Sequence, residues 1–249
     1  MIPKIVHFCW LSRDPDSPKI KKCLVSWKKY LPDYEFILWD IKRFNLNDST
    51  WVKQSFEKKK YAFAADNIRF YALYNYGGIN LDSDVEVLKS FNDLLDLPYF
   101  VRTEQAGTIE AAVIGAEKGC DWIKSCLMYY DNRKFILPDG NFDIKKLPEI
   151  MNIVIKKNKQ IINLTETEIQ ELKNKDLTKS VYVFPNYYFS PKLFDSRKTI
   201  IHPETYTIHH YQNSWFSTKA FYYYRFRTIL IRIIGYSLVR KIEKLFFKR

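Results

Sequence analysis

Residues 4–39 read KIVHFCWLSRDPDSPKIKKCLVSWKKYLPDYEFILW. Residues 4 to 10 form a short apolar run, which predicts a strand. Ser17 followed by Pro18 marks a helix start, because proline at the first helical position sacrifices no hydrogen bond. That helix should reach Leu31, with Ile20, Leu24 and Trp27 on one face. Pro32 and Asp33 then turn the chain into a second strand, YEFILW, at 34–39. Strand, helix, strand in this order predicts an α/β domain built on parallel pairing.

The composition agrees with a folded domain. The chain has 249 residues, 47% hydrophobic and 27% charged, which excludes a disordered chain. Its length predicts one or two domains, with a core large enough to need no disulfide staples. The four cysteines include no C-x-x-C pair, which argues against zinc ribbons and fits a reducing cytoplasm. The opening MIPKIVHFCW lacks a basic stretch before a long apolar core, so no signal peptide is expected.

Further along, residues 61–76 suit a helix of Ala, Leu and aromatic residues, ended by Gly77 and Gly78. The segment INLDSDVEVLKSF, from Ile79, reads as a strand broken by acidic residues. Residues 98–103 and 111–116 read as strands and 121–131 as a helix. The Lys- and Asn-rich stretch from about 132 to 180 reads as a helical insert, with a capping-box pattern at Thr165 to Glu168. Residues 181–184 and 206–211 read as strands again.

The formal net charge is +12, and it is concentrated at one end. Residues 219–249 hold nine Lys and Arg against one Glu, which leaves the rest of the chain at only +4. A nucleic-acid groove across the body is therefore not expected. On a helical wheel Arg225, Arg232, Arg240 and Lys244 face away from Ile231, Ile234, Leu238, Ile242 and Leu245. This pattern predicts one basic amphipathic helix lying in an anionic membrane surface. Its apolar runs fall short of the ~20 residues that a spanning helix needs. The division expected is a catalytic domain over 1–218 and this helix over 219–249.

Four patches carry chemistry. Asp82-Ser83-Asp84 sets two carboxylates one residue apart at a strand end, a donor pair suited to Mg²⁺ or Mn²⁺. Asp66 and Arg69, one turn apart on the preceding helix, can point into the same cleft, toward sugar hydroxyls and a phosphate or carboxylate. His209 and His210 offer an imidazole to the metal, and strand alternation allows only one of them to face it. His7 to Trp10 close the first strand, where ligands bind in open α/β sheets and a Trp can stack on a base. Glu110 reads as a surface acid that could at most touch an acceptor.

These patches together resemble a known family. IPKIVHFCW, DNIRFYALYNYGGINLDSDVEVL and TIHHYQNSW look like the D-x-D nucleotide-sugar glycosyltransferases, which include capsular-polysaccharide sugar transferases and the yeast initiating mannosyltransferase. The central block is also similar to the glucosyltransferase domain of large clostridial toxins. The resemblance covers roughly residues 1–116 and 181–215. It implies a GT-A fold, a single Rossmann-like α/β domain with a mixed sheet, carrying the helical insert and the C-terminal amphipathic helix. It implies Mn²⁺ or Mg²⁺ and a nucleotide-diphosphate sugar donor, UDP-sugar ahead of GDP-sugar.

By this resemblance Trp10 stacks on the base, and Asp66 and Arg69 hold the donor sugar. Asp82 touches ribose, sugar and metal, and Asp84 ligates the metal. His209 is preferred to His210 as the third ligand. Ser214 and Trp215 close over the diphosphate, while His7, Leu11, Asn80 and Ser83 complete the donor pocket. Asn80 stands where many relatives carry Tyr, which bears on donor identity. The activity implied is a retaining hexosyl transfer to a lipid-linked saccharide in bacterial capsule or lipopolysaccharide synthesis, at the cytoplasmic face of the cell membrane. The alternatives are a toxin-like effector that glycosylates a host protein, and a non-catalytic module that binds membrane or nucleic acid.

Overall fold

The computed structural model describes residues 1–12, 18–104, 108–191, 199–211 and 218–246. The opening unit forms as expected: β1 (Ile5–Cys9), α1 (Pro18–Tyr30) and β2 (Glu35–Trp39). Then come α2 (Thr50–Glu57), α3 (Tyr61–Tyr76), β3 (Gly78–Leu81), β4 (Val85–Val87), β5 (Tyr99–Thr103) and β6 (Ile109–Ala116). They are followed by α4 (Asp121–Met128), α5 (Leu147–Ile155), β7 (Gln160–Asn163), α6 (Glu166–Ile169), β8 (Ser180–Val183), α7 (Asn186–Phe189) and β9 (Thr207–His209). The chain closes with α8 (Thr218–Ile234) and α9 (Tyr236–Phe246). Ser17, the expected cap of α1, lies outside the described residues.

Five strands form the main sheet, in the order β2-β1-β3-β6-β5. β1 runs parallel to β2 and β3, whereas β6 runs antiparallel to β3 and β5, so the sheet is mixed. Every residue of β3 and β6 is buried, as befits central strands covered on both faces. Alternation sorts the side chains between two cores. Tyr99 and Val101 of β5 join Trp51, Ile68, Ile114 and Ile150 on one face. Phe100 joins Trp27, Phe91, Val113 and Phe189 on the other. Each large side chain fully buried this way contributes about 1.5–3 kcal/mol.

Two glycines let α3 feed β3. Gly77 caps the helix at φ 68°, and its N–H donates to the Leu73 carbonyl at 2.9 Å. Gly78, at φ +103°, sits so close to β1 that an added Cβ would fall 2.6 Å from the Ile5 carbonyl oxygen. Only glycine combines that backbone conformation with that approach.

The acidic segment after β3 is not one interrupted strand. β3 ends inside the main sheet, and β4 belongs to a separate two-stranded ribbon with β9. In this ribbon Val85 pairs antiparallel with His209, and the His210 N–H donates to the Asp84 carbonyl at 3.0 Å. Helix α1 holds the ribbon. Trp27 Nε1 donates to the Val85 carbonyl at 2.7 Å, and Ser26 Oγ accepts from the Val87 N–H at 2.9 Å.

The 132–180 insert is only partly helical. α5 packs into the first core, and the capping box at Thr165 and Glu168 forms as the pattern predicts. Residues 160–163, however, form β7, which pairs parallel with β8. Just beyond β8, the Phe184 N–H donates to the Val101 carbonyl at 2.8 Å, which docks this ribbon against β5.

The tail is a helical hairpin rather than one helix. Gly235, at φ 82°, breaks it between α8 and α9. Arg227 Nε then meets Glu243 Oε1 at 2.6 Å, sixteen residues on, which a straight helix forbids. Ile231 and Val239 are buried, whereas Phe226, Ile229, Ile233 and Leu238 are exposed. Ile231, on the predicted apolar face, is therefore covered by the protein itself. Among the described residues no helix is long and apolar enough to cross a membrane.

Candidate metal centre

The Asp82-Ser83-Asp84 turn is the crossover between the two sheets. The Asp82 N–H donates to the Ala112 carbonyl on β6, and the Asp82 carbonyl accepts from the Val85 N–H, both at 2.9 Å. The turn is thus pinned at both ends, with its two carboxylates on either side of Ser83. Asp82, Asp84 and His209 each offer one ligand atom, and these atoms lie within 4.8 Å of one another.

The set fits a divalent cation. At Mg²⁺ bond lengths of about 2.0–2.1 Å, neighbouring octahedral donors stand about 3 Å apart. His209 Nε2 and Asp84 Oδ1 are 3.3 Å apart. The donors are two carboxylate oxygens and one imidazole, a combination that suits Mn²⁺ as well as Mg²⁺. His210 turns the other way, with Nε2 2.8 Å from Glu86 Oε2, and Lys22 Nζ stands 3.0 Å from the same carboxylate. Alternation along the strand end therefore gives the site one histidine, His209.

Arg69 organises the opposite wall from α3. Its guanidinium is buried, donating from Nη1 to the Ala111 carbonyl at 2.6 Å and from Nη2 to Asp82 Oδ1 at 2.8 Å. Asp66 Oδ1 lies 3.7 Å from Nη2 of Arg69, so both residues reach the cleft as the i, i+3 spacing predicts. Burial pushes the Asp66 carboxyl up to about 7, with Arg69 opposing and Asp82 adding to the rise. The Cys9 thiol is raised to about 12 by burial and is therefore inert beside Arg69.

The remaining expected donor residues divide. Trp10 is half-buried at the end of β1, and Ser83 is half-buried in the turn. Asn80 is buried on β3, and its side-chain Nδ2 has no hydrogen-bond partner. Leu11 packs into the first apolar core. Ser214 and Trp215 lie outside the described residues.

His7 does not fit a ligand-binding role. It is fully buried, accepting at Nδ1 from Trp39 Nε1 at 3.1 Å and donating from Nε2 to the Gly77 carbonyl at 2.7 Å. Burial lowers its pKa, against the pull of the Gly77 carbonyl, and keeps it neutral. Both nitrogens are spent on joining β1, β2 and the end of α3.

Glu110 is the second correction. It is a buried acid on β6, not a surface one, and its Oε1 stands 3.0 Å from His209 Nδ1. Arg102, also buried, places Nε 3.4 Å from Glu110 Oε2. Arg102 Nη2 donates to the Tyr211 hydroxyl at 3.0 Å, and the Tyr211 ring lies over His209 with centroids 4.1 Å apart. Burial alone would raise the Glu110 carboxyl. Arg102 and His209 overrule that and bring it down to about 2. Burial likewise opposes protonation of His209, and Asp84 and Glu110 together raise its pKa well above the usual value. The sequence does carry a signal for this group, a lone acid inside the otherwise apolar IEAAVIGA. A cavity of about 640 Å³ lined by Ser125, Tyr129, Arg133 and Lys157 shares no residue with the site.

Comparison with known proteins bears out the resemblance. Residues 17–101 match the family described as "Glycosyltransferase sugar-binding region containing DXD motif". A curated relative, inositol phosphoceramide mannosyltransferase 3 of Schizosaccharomyces pombe, is 33% identical over 125 residues, 47% of this chain and 34% of that protein. Mannosyl phosphorylinositol ceramide synthase SUR1 of Saccharomyces cerevisiae is 32% identical over 123 residues, 47% of this chain and 31% of that protein. The chain thus spans about a third of the length of these relatives. The solved structure of PaToxG glycosyltransferase aligns at 20% identity and a TM-score of 0.47, over 63% of this chain and 68% of that one.

Proposed function

We propose that this chain is a metal-dependent glycosyltransferase that moves a sugar from a nucleotide-diphosphate donor to a lipid-linked acceptor. The convergence of His209 on Asp82 and Asp84, two acids of the matched sugar-binding region, carries this reading. Asp82, Asp84 and His209 would hold a divalent cation, which would supply Lewis-acid neutralisation of the leaving diphosphate. Asp84 and His209 would anchor it, and Asp82 would also meet the donor sugar. Arg69 fixes the Asp82 carboxylate, and Asp66 accepts sugar hydroxyls from the same helix face. Trp10, at the end of β1, stacks on the base. Positioning of this kind, together with preorganised charge, is the main catalytic resource for such a transfer. The donor proposed is a UDP-sugar and the outcome retention.

A lipid acceptor has two supports. The fungal relatives are named for transfer of mannose to inositol phosphoceramide, a lipid. The tail adds exposed Phe226, Ile229 and Ile233 to a net charge of +8, which suits an anionic membrane surface at its cytoplasmic face. Bacterial surface polysaccharide has no counterpart in those names, so the acceptor is drawn as lipid-linked without that restriction.

The test is a donor screen with Mn²⁺. Free nucleotide release is followed for UDP-, GDP- and dTDP-sugars, with EDTA and Asp84→Ala as controls. Slow hydrolysis of one donor, abolished by EDTA and by the substitution, is the expected result. Release that persists in both controls, or no release and no thermal shift with any donor, refutes the reading.

A further inference from the structure

We propose that Glu110 is a positioning residue that fixes His209 as a metal ligand, an inference that rests on the metal-dependent reading above. Glu110, Arg102, Tyr211 and His209 form a closed ring of contacts. An imidazole can rotate and offer either nitrogen. Here Glu110 occupies the Nδ1 side, which leaves Nε2 beside Asp84. A carboxylate behind a ligating histidine fixes the ring orientation and raises the basicity of the other nitrogen.

Three features show that this ring is built rather than incidental. First, a buried carboxylate and a buried guanidinium are costly unless paired, and replacing such a pair with apolar residues is often neutral or stabilising. Packing alone therefore gives no reason to keep these two charges buried on neighbouring strands. Second, β5 and β6 shift register between Val101 and Arg102, and the shift brings Arg102 opposite Glu110. An irregularity of this kind re-aims a side chain next to a functional site. Third, Tyr211 takes φ 51°, a left-handed backbone uncommon for an aromatic residue. That conformation puts its ring on His209 and its hydroxyl on Arg102. Glu110 itself is buried, so it touches His209 rather than donor or acceptor.

The experiment is a Mn²⁺ titration of the full chain, reading free aqueous Mn²⁺ by electron paramagnetic resonance. Wild type, Glu110→Gln and Glu110→Ala are each measured alone and combined with His209→Ala, with Asp84→Ala as a separate control. Metal-free thermal unfolding verifies that each variant is folded. The expected result is a Mn²⁺ affinity about 10- to 100-fold weaker in Glu110→Ala. Glu110→Gln, which keeps an acceptor and the same shape, should lose less. In the His209→Ala background the glutamine substitution should change nothing further. If Glu110→Ala does not fold, the Glu110→Gln cycle decides alone.

Equal glutamine effects in both backgrounds would overturn the inference, because Glu110 would then act independently of His209. So would wild-type binding in both Glu110 variants while His209→Ala and Asp84→Ala lose it, and the metal reading would survive. Unchanged binding in His209→Ala and Asp84→Ala would bring down the metal reading itself.

Discussion

At the residue scale, Asp66 gives the site a pH signature. Its carboxyl sits at about 7 in the folded chain, against an ordinary value of 3.8, chiefly because it is buried. Between those values the folded state keeps a proton that the unfolded chain releases. The resulting stabilisation is fully present below about pH 3.8 and fades as pH rises toward 7. Asp66→Asn should therefore gain stability relative to wild type as pH climbs from 4 to 7. Urea unfolding of both proteins across that range measures the difference, and parallel pH profiles would show the assignment to be wrong. Asp82, Asp84, Asp66 and Arg69 were legible in the sequence because their spacings are local. One helical turn joins Asp66 to Arg69, and one residue separates the two acids. The ring behind His209 was not legible, since Arg102 and Tyr211 meet across 109 positions. His7 misled for the opposite reason. Its place at a strand end suggests a ligand site, but Trp39 and Gly77 satisfy it from distant parts of the chain.

At the element scale, the approach of β3 to β1 hangs on Gly78. Gly78→Ala forces a Cβ to within 2.6 Å of a backbone oxygen that cannot move aside, at a φ that alanine avoids. The expected loss is about 1–3 kcal/mol from overpacking, read as a lower urea midpoint with unchanged slope. A variant as stable as wild type would show that β3 can shift away from β1 freely. The strand-helix-strand opening was legible because period and punctuation are local signals. The split of INLDSDVEVLKSF into β3 and β4 was not, because alternation names a strand without naming its sheet. β7 was missed in the same way. Its four residues, QIIN, gain strand character from pairing with β8.

At the scale of the whole molecule, charge and exposed apolar surface gather on the α8–α9 hairpin. Removal of residues 218–249 should abolish flotation with anionic vesicles and leave Mn²⁺ binding by the body intact. Wild-type flotation should also weaken as salt rises, since part of the attraction is screened. Flotation that survives the truncation would place the membrane contact elsewhere. The helical wheel described this region as one continuous rod, because a wheel cannot register the single Gly235 that folds it back on itself. The D-x-D turn has a wider consequence of the same topological kind. Asp82 directly follows β3 of the large sheet, whereas Asp84 directly precedes β4, and His209 ends β9, in the small ribbon. A cation gripping all three would be a rivet through two separately hydrogen-bonded plates, adding its own bond to those that helix α1 already makes to the ribbon.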